Sequence, residues 1–184
     1  MEMMRMRACE TFSALKHLKR RGDIGQAIAA ELGRLSIFDL QRISACMEAD
    51  VDKVPSPYRE KVRPYFTEQL FGSYFRLMRM HGDGTLKAMD GRIKDEKAFE
   101  EYCLMAMEES EKKERGQYGW YYYLVSCFTM FVLEEPGHPV GMPFPGGFIV
   151  ERRGDSYYCP IREKEKDVPF AICNFCPALQ GEIS

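Results

Sequence analysis

Residues 120–133 read WYYYLVSCFTMFVL, and residues 134–147 read EEPGHPVGMPFPGG. The boundary between these two stretches decides the fold. The first is an apolar and aromatic run of fourteen residues, shorter than the roughly 20 that a helix needs to cross a bilayer, so it reads as a buried core helix. The second packs four glycines and four prolines into fourteen residues. That density excludes a helix or an internal strand and predicts a shaped loop. A single domain, 1–184, is therefore expected, with a helical body over 1–133 and a smaller segment over 134–184.

Upstream of this boundary the pattern is helical. Asp23 with Gln26 resembles a cap, followed by Ile24, Ala27, Ile28 and Leu32 at helical spacing up to Gly33. Ser36 with Asp39 repeats the signal and opens a stripe of Ile37, Leu40, Ile43 and Met47. These two helices are expected to pack as a short hairpin. The segment DKVPSP at 52–57 is a breaker. Pro64 suits the first turn of a helix carrying Phe66, Leu70, Tyr74, Leu77 and Met78, which HGDGT at 81–85 ends. Asp95 can cap a helix whose apolar face is Phe99, Tyr102, Cys103 and Ala106. The charge run Glu108–Arg115 reads as a solvated helix end, and Gly116 and Gly119 as breaks before Trp120.

Downstream, Phe148–Glu151 and Ser156–Cys159 are β-prone runs around Arg153-Gly154-Asp155 and read as a hairpin. A charged link, Arg162–Asp167, leads to Cys173-Asn174-Phe175-Cys176. The fold class is mainly α: a helical bundle-like body with a C-terminal Gly/Pro loop, a short β-hairpin and a Cys-x-x-Cys metal knuckle.

Composition narrows the function. An apolar fraction of 45% over 184 residues supports an ordinary hydrophobic core. A net charge of -2 gives no reason to expect binding to a phosphate backbone. The most basic stretch, His17–Arg21, reads as the solvated face of a helix, and the aromatic run at 120–123 reads as core packing. No nucleic-acid partner and no membrane partner are expected.

Seven cysteines cannot all pair with one another, and residues 1–12 lack the continuous apolar stretch of a signal peptide. The expected compartment is the reducing cytoplasm, where clustered cysteines are read first as metal ligands. A Cys-x-x-Cys turn aims two sulfurs at one point. Cys159 is the third thiolate and His138, in the Gly/Pro loop, the fourth ligand, so that residues 138–176 make a Cys₃His zinc site. Cys127 is the alternative fourth ligand, and four cysteines would suit an iron–sulfur cluster. Cys9, Cys46, Cys103 and Cys127 otherwise read as small buried hydrophobes.

The motifs Gly137-His138-Pro139-Val140-Gly141 with Pro143-Phe144-Pro145-Gly146-Gly147, then Tyr157-Tyr158-Cys159-Pro160 and Cys173-Asn174-Phe175-Cys176, resemble an uncharacterised archaeal family found chiefly in methanogens. The resemblance is strongest over roughly the last fifty residues. It implies an archaeal, cytoplasmic protein from a strict anaerobe, and it carries no catalytic residues with it.

Three functions fit. Zinc holds the C-terminal segment on the helical body and presents a surface to a protein partner, without catalysis. Alternatively, an open zinc position served by Glu134 or Glu135 as base makes a metalloenzyme, or an iron–sulfur cluster serves electron transfer or cofactor assembly. Thiol exchange at Cys173 and Cys176 would call for a βαβ unit that the sequence lacks.

Overall fold

The computed structural model describes residues 2–112 and 116–181. The helices run α1 Glu2–Leu15, α2 Arg21–Leu32, α3 Ile37–Val51, α4 Tyr58–Thr67, α5 Ser73–Gly82, α6 Thr85–Ala88, α7 Glu96–Glu111 and α8 Gly116–Cys127. Two π-turns interrupt this order: Glu68–Gly72 joins α4 to α5, and Phe128–Val132 extends α8.

The aromatic run forms the centre of the body. Helix α8 packs against α1, α2, α3, α7 and the first π-turn, and Trp120, Tyr121, Tyr123, Leu124 and Phe128 are fully buried. Burial of each large side chain contributes about 3 kcal/mol. The tyrosine hydroxyls stay satisfied: Tyr121 donates to the Leu70 carbonyl at 3.0 Å, and Tyr102 of α7 donates to the Tyr123 carbonyl at 2.6 Å. The apolar face expected for α7 is buried throughout, at Phe99, Tyr102, Cys103 and Ala106.

Local signals hold where the cap is a side chain. Ser36 and Asp39 form a reciprocal capping box on α3, and Asp95 accepts from the Ala98 amide at 2.9 Å. They fail where tertiary contacts set the boundary. Helix α2 starts at Arg21, so Asp23 lies in its first turn and caps nothing. Its start is fixed by the Arg21 amide bonding to Gly91 O at 2.8 Å and by its guanidinium bonding to Val132 O at 2.7 Å. Of the His17–Arg21 stretch, His17 to Arg20 accordingly connect α1 to α2 and Arg21 opens α2, with Lys19 paired to Glu96 at 2.9 Å.

Other expectations are corrected. Helices α2 and α3 are not partners: α2 lies against α5, α6 and the second π-turn, and α3 against α4 and α8. Pro64 sits inside α4 rather than in its first turn, because that helix begins directly after Pro57. Gly119 is buried within α8 and breaks nothing. In the charge run, Glu109 is buried and paired with Lys112, while residues 113–115 lie outside the described part of the chain. Cys9 and Cys46 are exposed, whereas Cys103 and Cys127 are buried.

The C-terminal segment is built on strands β1 Glu151–Arg153, β2 Ser156–Cys159 and β3 Leu179–Gln180. Strands β1 and β2 form the antiparallel hairpin, turning through Gly154 and Asp155, with the first strand three residues later than its β-prone run. Residues 148–150 instead pair back onto the loop: the Gly141 amide donates to Val150 O at 2.7 Å and the Phe144 amide to Phe148 O at 2.7 Å. Strand β3 adds in parallel beside β2, placing Gln180 opposite Cys159, which makes a three-stranded sheet of the expected hairpin. A small second core of Met142, Val150, Cys159 and Ala178 lies under it.

Candidate metal centre

Cys159 closes strand β2, and Pro160 turns the chain away from the sheet. Since proline has no N–H, the next amides are the ones available: those of Ile161 and Arg162 favour the charged form of the Cys159 thiol, and the Arg162 amide donates to the Cys159 carbonyl at 3.4 Å. Cys176 is built the same way. Pro177 follows it, and the Ala178 amide favours the charged form of its thiol. The amide that donates to the Cys176 sulfur is that of Gly137, at 3.4 Å. Two cysteines on different elements thus share one local design, in which backbone dipoles point at sulfur.

Cys173 lies in a 3₁₀ turn, Ile172–Phe175, that packs on α7. The Phe175 ring meets Tyr102 edge to face, with centroids 5.3 Å apart. Arg162, from the charged link, donates to the carbonyls of Cys176 at 3.3 Å and Asn174 at 3.4 Å, which fixes a cation beside the turn.

Electrostatics tie the three thiols together. Burial pushes Cys173 up to about 12, with Cys176 and Cys159 adding to the shift. Burial also raises Cys159, and Cys176 adds to it. Burial raises Cys176 against the pull of the Gly137 and Ala178 amides and of Arg162. Each thiol is therefore protonated and uncharged at neutral pH.

His138 follows Gly137, so the amide-to-sulfur bond draws its loop toward Cys176. Its ring stands edge to face with Phe144, centroids 5.7 Å apart, and Phe144 packs against the small core that holds Cys159. Burial lowers the imidazole to about 4, so it is neutral at physiological pH. The approach depends on glycine: a Cβ at position 137 would lie 2.8 Å from Ile172 Cδ1 and 3.3 Å from Met130 Sδ.

Cys127 is elsewhere, fully buried in α8 with Cys103 and Tyr102 as its neighbours in charge. The two glutamates offered as bases carry ion pairs. Glu134 meets Lys94 at 2.9 Å and Arg21 at 3.6 Å, and Glu135 takes both Nη atoms of Arg76, at 2.6 and 2.9 Å. Among the described residues, no group of three or more His, Cys, Asp or Glu side chains converges so as to hold a metal ion. The Gly137 donor and the amides of Ile161 and Ala178 that favour the thiolates escape a reading of side chains. The proline after each of Cys159 and Cys176 was their only trace in the sequence.

A family model described as an uncharacterized protein conserved in archaea, DUF2115, matches residues 20–181. The chain belongs to this family. The DUF2115 match takes in the helical body from Arg20 onward and all four expected ligands. Among its relatives, a UPF0305 protein of Methanothermobacter thermautotrophicus is 24% identical over 155 residues, covering 84% of this chain and 93% of that protein. A UPF0305 protein of Methanocaldococcus jannaschii is 24% identical over 157 residues, covering 84% and 92%. A UPF0305 protein of Methanopyrus kandleri reaches 45% over 60 residues, 33% of this chain and 42% of that protein. No solved structure matches. Among the described residues no helix is long and apolar enough to cross a membrane.

Proposed function

We propose that the chain is a zinc-binding protein in which Cys159, Cys173, Cys176 and His138 hold one ion that ties the C-terminal segment to the helical body. The reading rests on a single observation: the Gly137 amide donates to the Cys176 sulfur at 3.4 Å and so holds the loop that carries His138 on the Cys-x-x-Cys turn, while the amides after Pro160 and Pro177 favour the charged form of Cys159 and Cys176. Such donors favour thiolate over thiol, which is the form a metal requires. Arg162 acts in the same direction. Protonated thiols have nothing to draw their sulfurs to one point, and a cation supplies that attraction. A cleft of about 410 Å³ opens on Cys176 and gives the ion a way in.

The role is structural and the setting a reducing cytoplasm. The ion pairs of Glu134 and Glu135 count against their use as a base at an open zinc position. Val140, Ile149, Phe170 and Leu179 are exposed apolar side chains on the segment so held, which favours a protein partner there.

Elemental analysis and an absorption spectrum on protein purified without oxygen test this reading, with Cys173→Ser as comparison. One zinc per chain, lost in the variant, is the expected result. Iron with sulfide and a broad visible band would replace zinc with a cluster serving electron transfer or cofactor assembly. Metal absent from both proteins, even after zinc is added, would end the reading. The structural role is read by hydrogen exchange: chelation should expose residues 137–180 while α7 and α8 stay protected.

A further inference from the structure

Cys173 and Cys176 sit at the two ends of one turn. The Cys176 amide donates to the Cys173 carbonyl at 3.3 Å, and a turn closed in this way holds its two end Cα atoms within about 7 Å. A disulfide needs them about 4.4–6.8 Å apart. The backbone of this pair is therefore in bridging range as it stands.

Access separates the two sulfurs. Cys173 is 6% exposed and Cys159 3%, whereas Cys176 is half-buried and lines the cleft of about 410 Å³, together with Phe131 and Phe175. A small reagent that enters the cleft meets Cys176 first, and Cys173 lies one turn behind it. Cys159 is held in the sheet, where the Gly181 amide donates to its carbonyl at 2.9 Å. Cys9 and Cys46 are exposed but stand on separate helices, α1 and α3.

We propose that Cys176 is a modification site for low-molecular-weight disulfides, and that Cys173 resolves the adduct into a Cys173–Cys176 disulfide. The deprotonated Cys176 sulfur attacks one sulfur of the reagent R–S–S–R. The reagent's S–S bond breaks, a Cys176–S–S–R bond forms, and the departing R–S⁻ takes up the proton that Cys176 released. The Cys173 sulfur then attacks that of Cys176 and expels the second R–S⁻, which takes the proton from Cys173. Two electrons pass from the cysteines to the reagent, which ends as two thiols. A βαβ unit is what catalysis of exchange in other proteins calls for; a chain that closes its own turn does not need it.

The loss of zinc on oxidation rests on the reading above; the modification does not. Disulfide sulfurs are no longer thiolates, so Cys173 and Cys176 cease to be ligands and the ion leaves. The Cys176 sulfur also accepts from Gly137, so the loop that carries His138 loosens with it.

The test treats the full chain, carrying Cys9→Ser and Cys46→Ser to remove the exposed thiols, with oxidised glutathione at mildly alkaline pH. Remaining thiols are then alkylated in denaturant and the peptides weighed by mass spectrometry, while a chromophoric chelator reads released zinc. The expected product is a peptide spanning 173–176 that is unalkylated and lighter by two hydrogens, with Cys103, Cys127 and Cys159 alkylated. Adding Cys173→Ser should stop the reaction at one glutathione on Cys176, and adding Cys176→Ser should leave Cys173 unmodified. A bridge from Cys176 to Cys159, or a pair that stays reduced in excess reagent, overturns the proposal. Zinc retained by a chain whose pair stays reduced would sink it and leave the zinc reading standing. A Cys173–Cys176 disulfide formed by a chain that takes up no zinc would do the reverse.

Discussion

Gly137 donates its amide hydrogen to the sulfur of Cys176, thirty-nine residues away, at 3.4 Å. This contact joins the Gly/Pro loop to the Cys-x-x-Cys turn, and it exists because position 137 carries no side chain.

Gly137→Ala should therefore destabilise the chain by about 1–3 kcal/mol, the usual cost of inserting a methyl group into packed surroundings. The obstacle is the Cδ1 methyl of Ile172, which Ile172→Val removes. The double variant should recover part of the loss in chemical denaturation, a coupling of at least about 0.5 kcal/mol. Strict additivity would show that the contact is not what excludes a side chain at 137.

Arg162 lowers the pKa of all three thiols and braces the turn through two carbonyls. Arg162→Met should weaken zinc binding by about 10-fold or more, as losses of supporting contacts around metal ligands do. Competition with a chromophoric chelator reads this directly, and an unchanged affinity would remove Arg162 from the centre.

Tyr102 is tied to both halves of the chain, by its hydroxyl to Tyr123 O and by its ring to Phe175. Tyr102→Phe should cost about 1 kcal/mol, the net value of one buried hydrogen bond. Tyr102→Ala should cost about 3–5 kcal/mol. It should also accelerate hydrogen exchange at residues 172–176, which the Phe variant should leave protected.

Asp39 is held well below the usual carboxylate range by the Ser36 hydroxyl first, then by Gln117, the Ser36 amide and Arg42. A carboxyl group with a lowered pKa in the fold stabilises it at pH values above its unfolded value, about 3.9, and that contribution is lost as pH falls below this value toward the folded one. Asp39→Asn should thus melt lower than the parent at pH 7, and the gap should close on acidification below about pH 4. A gap that does not narrow at all between pH 4 and pH 2 would assign the effect to something other than the charge of Asp39.

Much of this architecture was legible because it is local. Ser36 with Asp39, Asp95 with Ala98, and the burial of residues 120–133 each follow from near neighbours in the chain. What was misread depends on partners far along it. Asp23 loses its capping role because Gly91 and Val132 set the start of α2, and Gly119 stays helical because α8 is packed on several sides. The parallel strand at Leu179–Gln180 is only two residues long, too short for any periodic pattern to announce. At the centre, Cys159, Cys173 and His138 were visible as residue types at plausible spacing. The amides aimed at sulfur belong to the backbone, which side-chain chemistry does not disclose. Gln69 sat unnoticed among helical neighbours, since a buried oxygen without a partner shows only once the surrounding helices have packed.

The two π-turns also set a rule for chain length. Each residue of an α-helix advances the direction of its side chain by about 100°. The extra residue at Glu68–Gly72 is therefore a rotation applied to everything that follows it. A chain shortened by one residue in that turn could keep an unbroken helix from α4 into α5 and conserve its composition almost unchanged. Ser73 and Arg76 would then point elsewhere, and the ion pair of Arg76 with Glu135 would break without the loss of a single charged side chain.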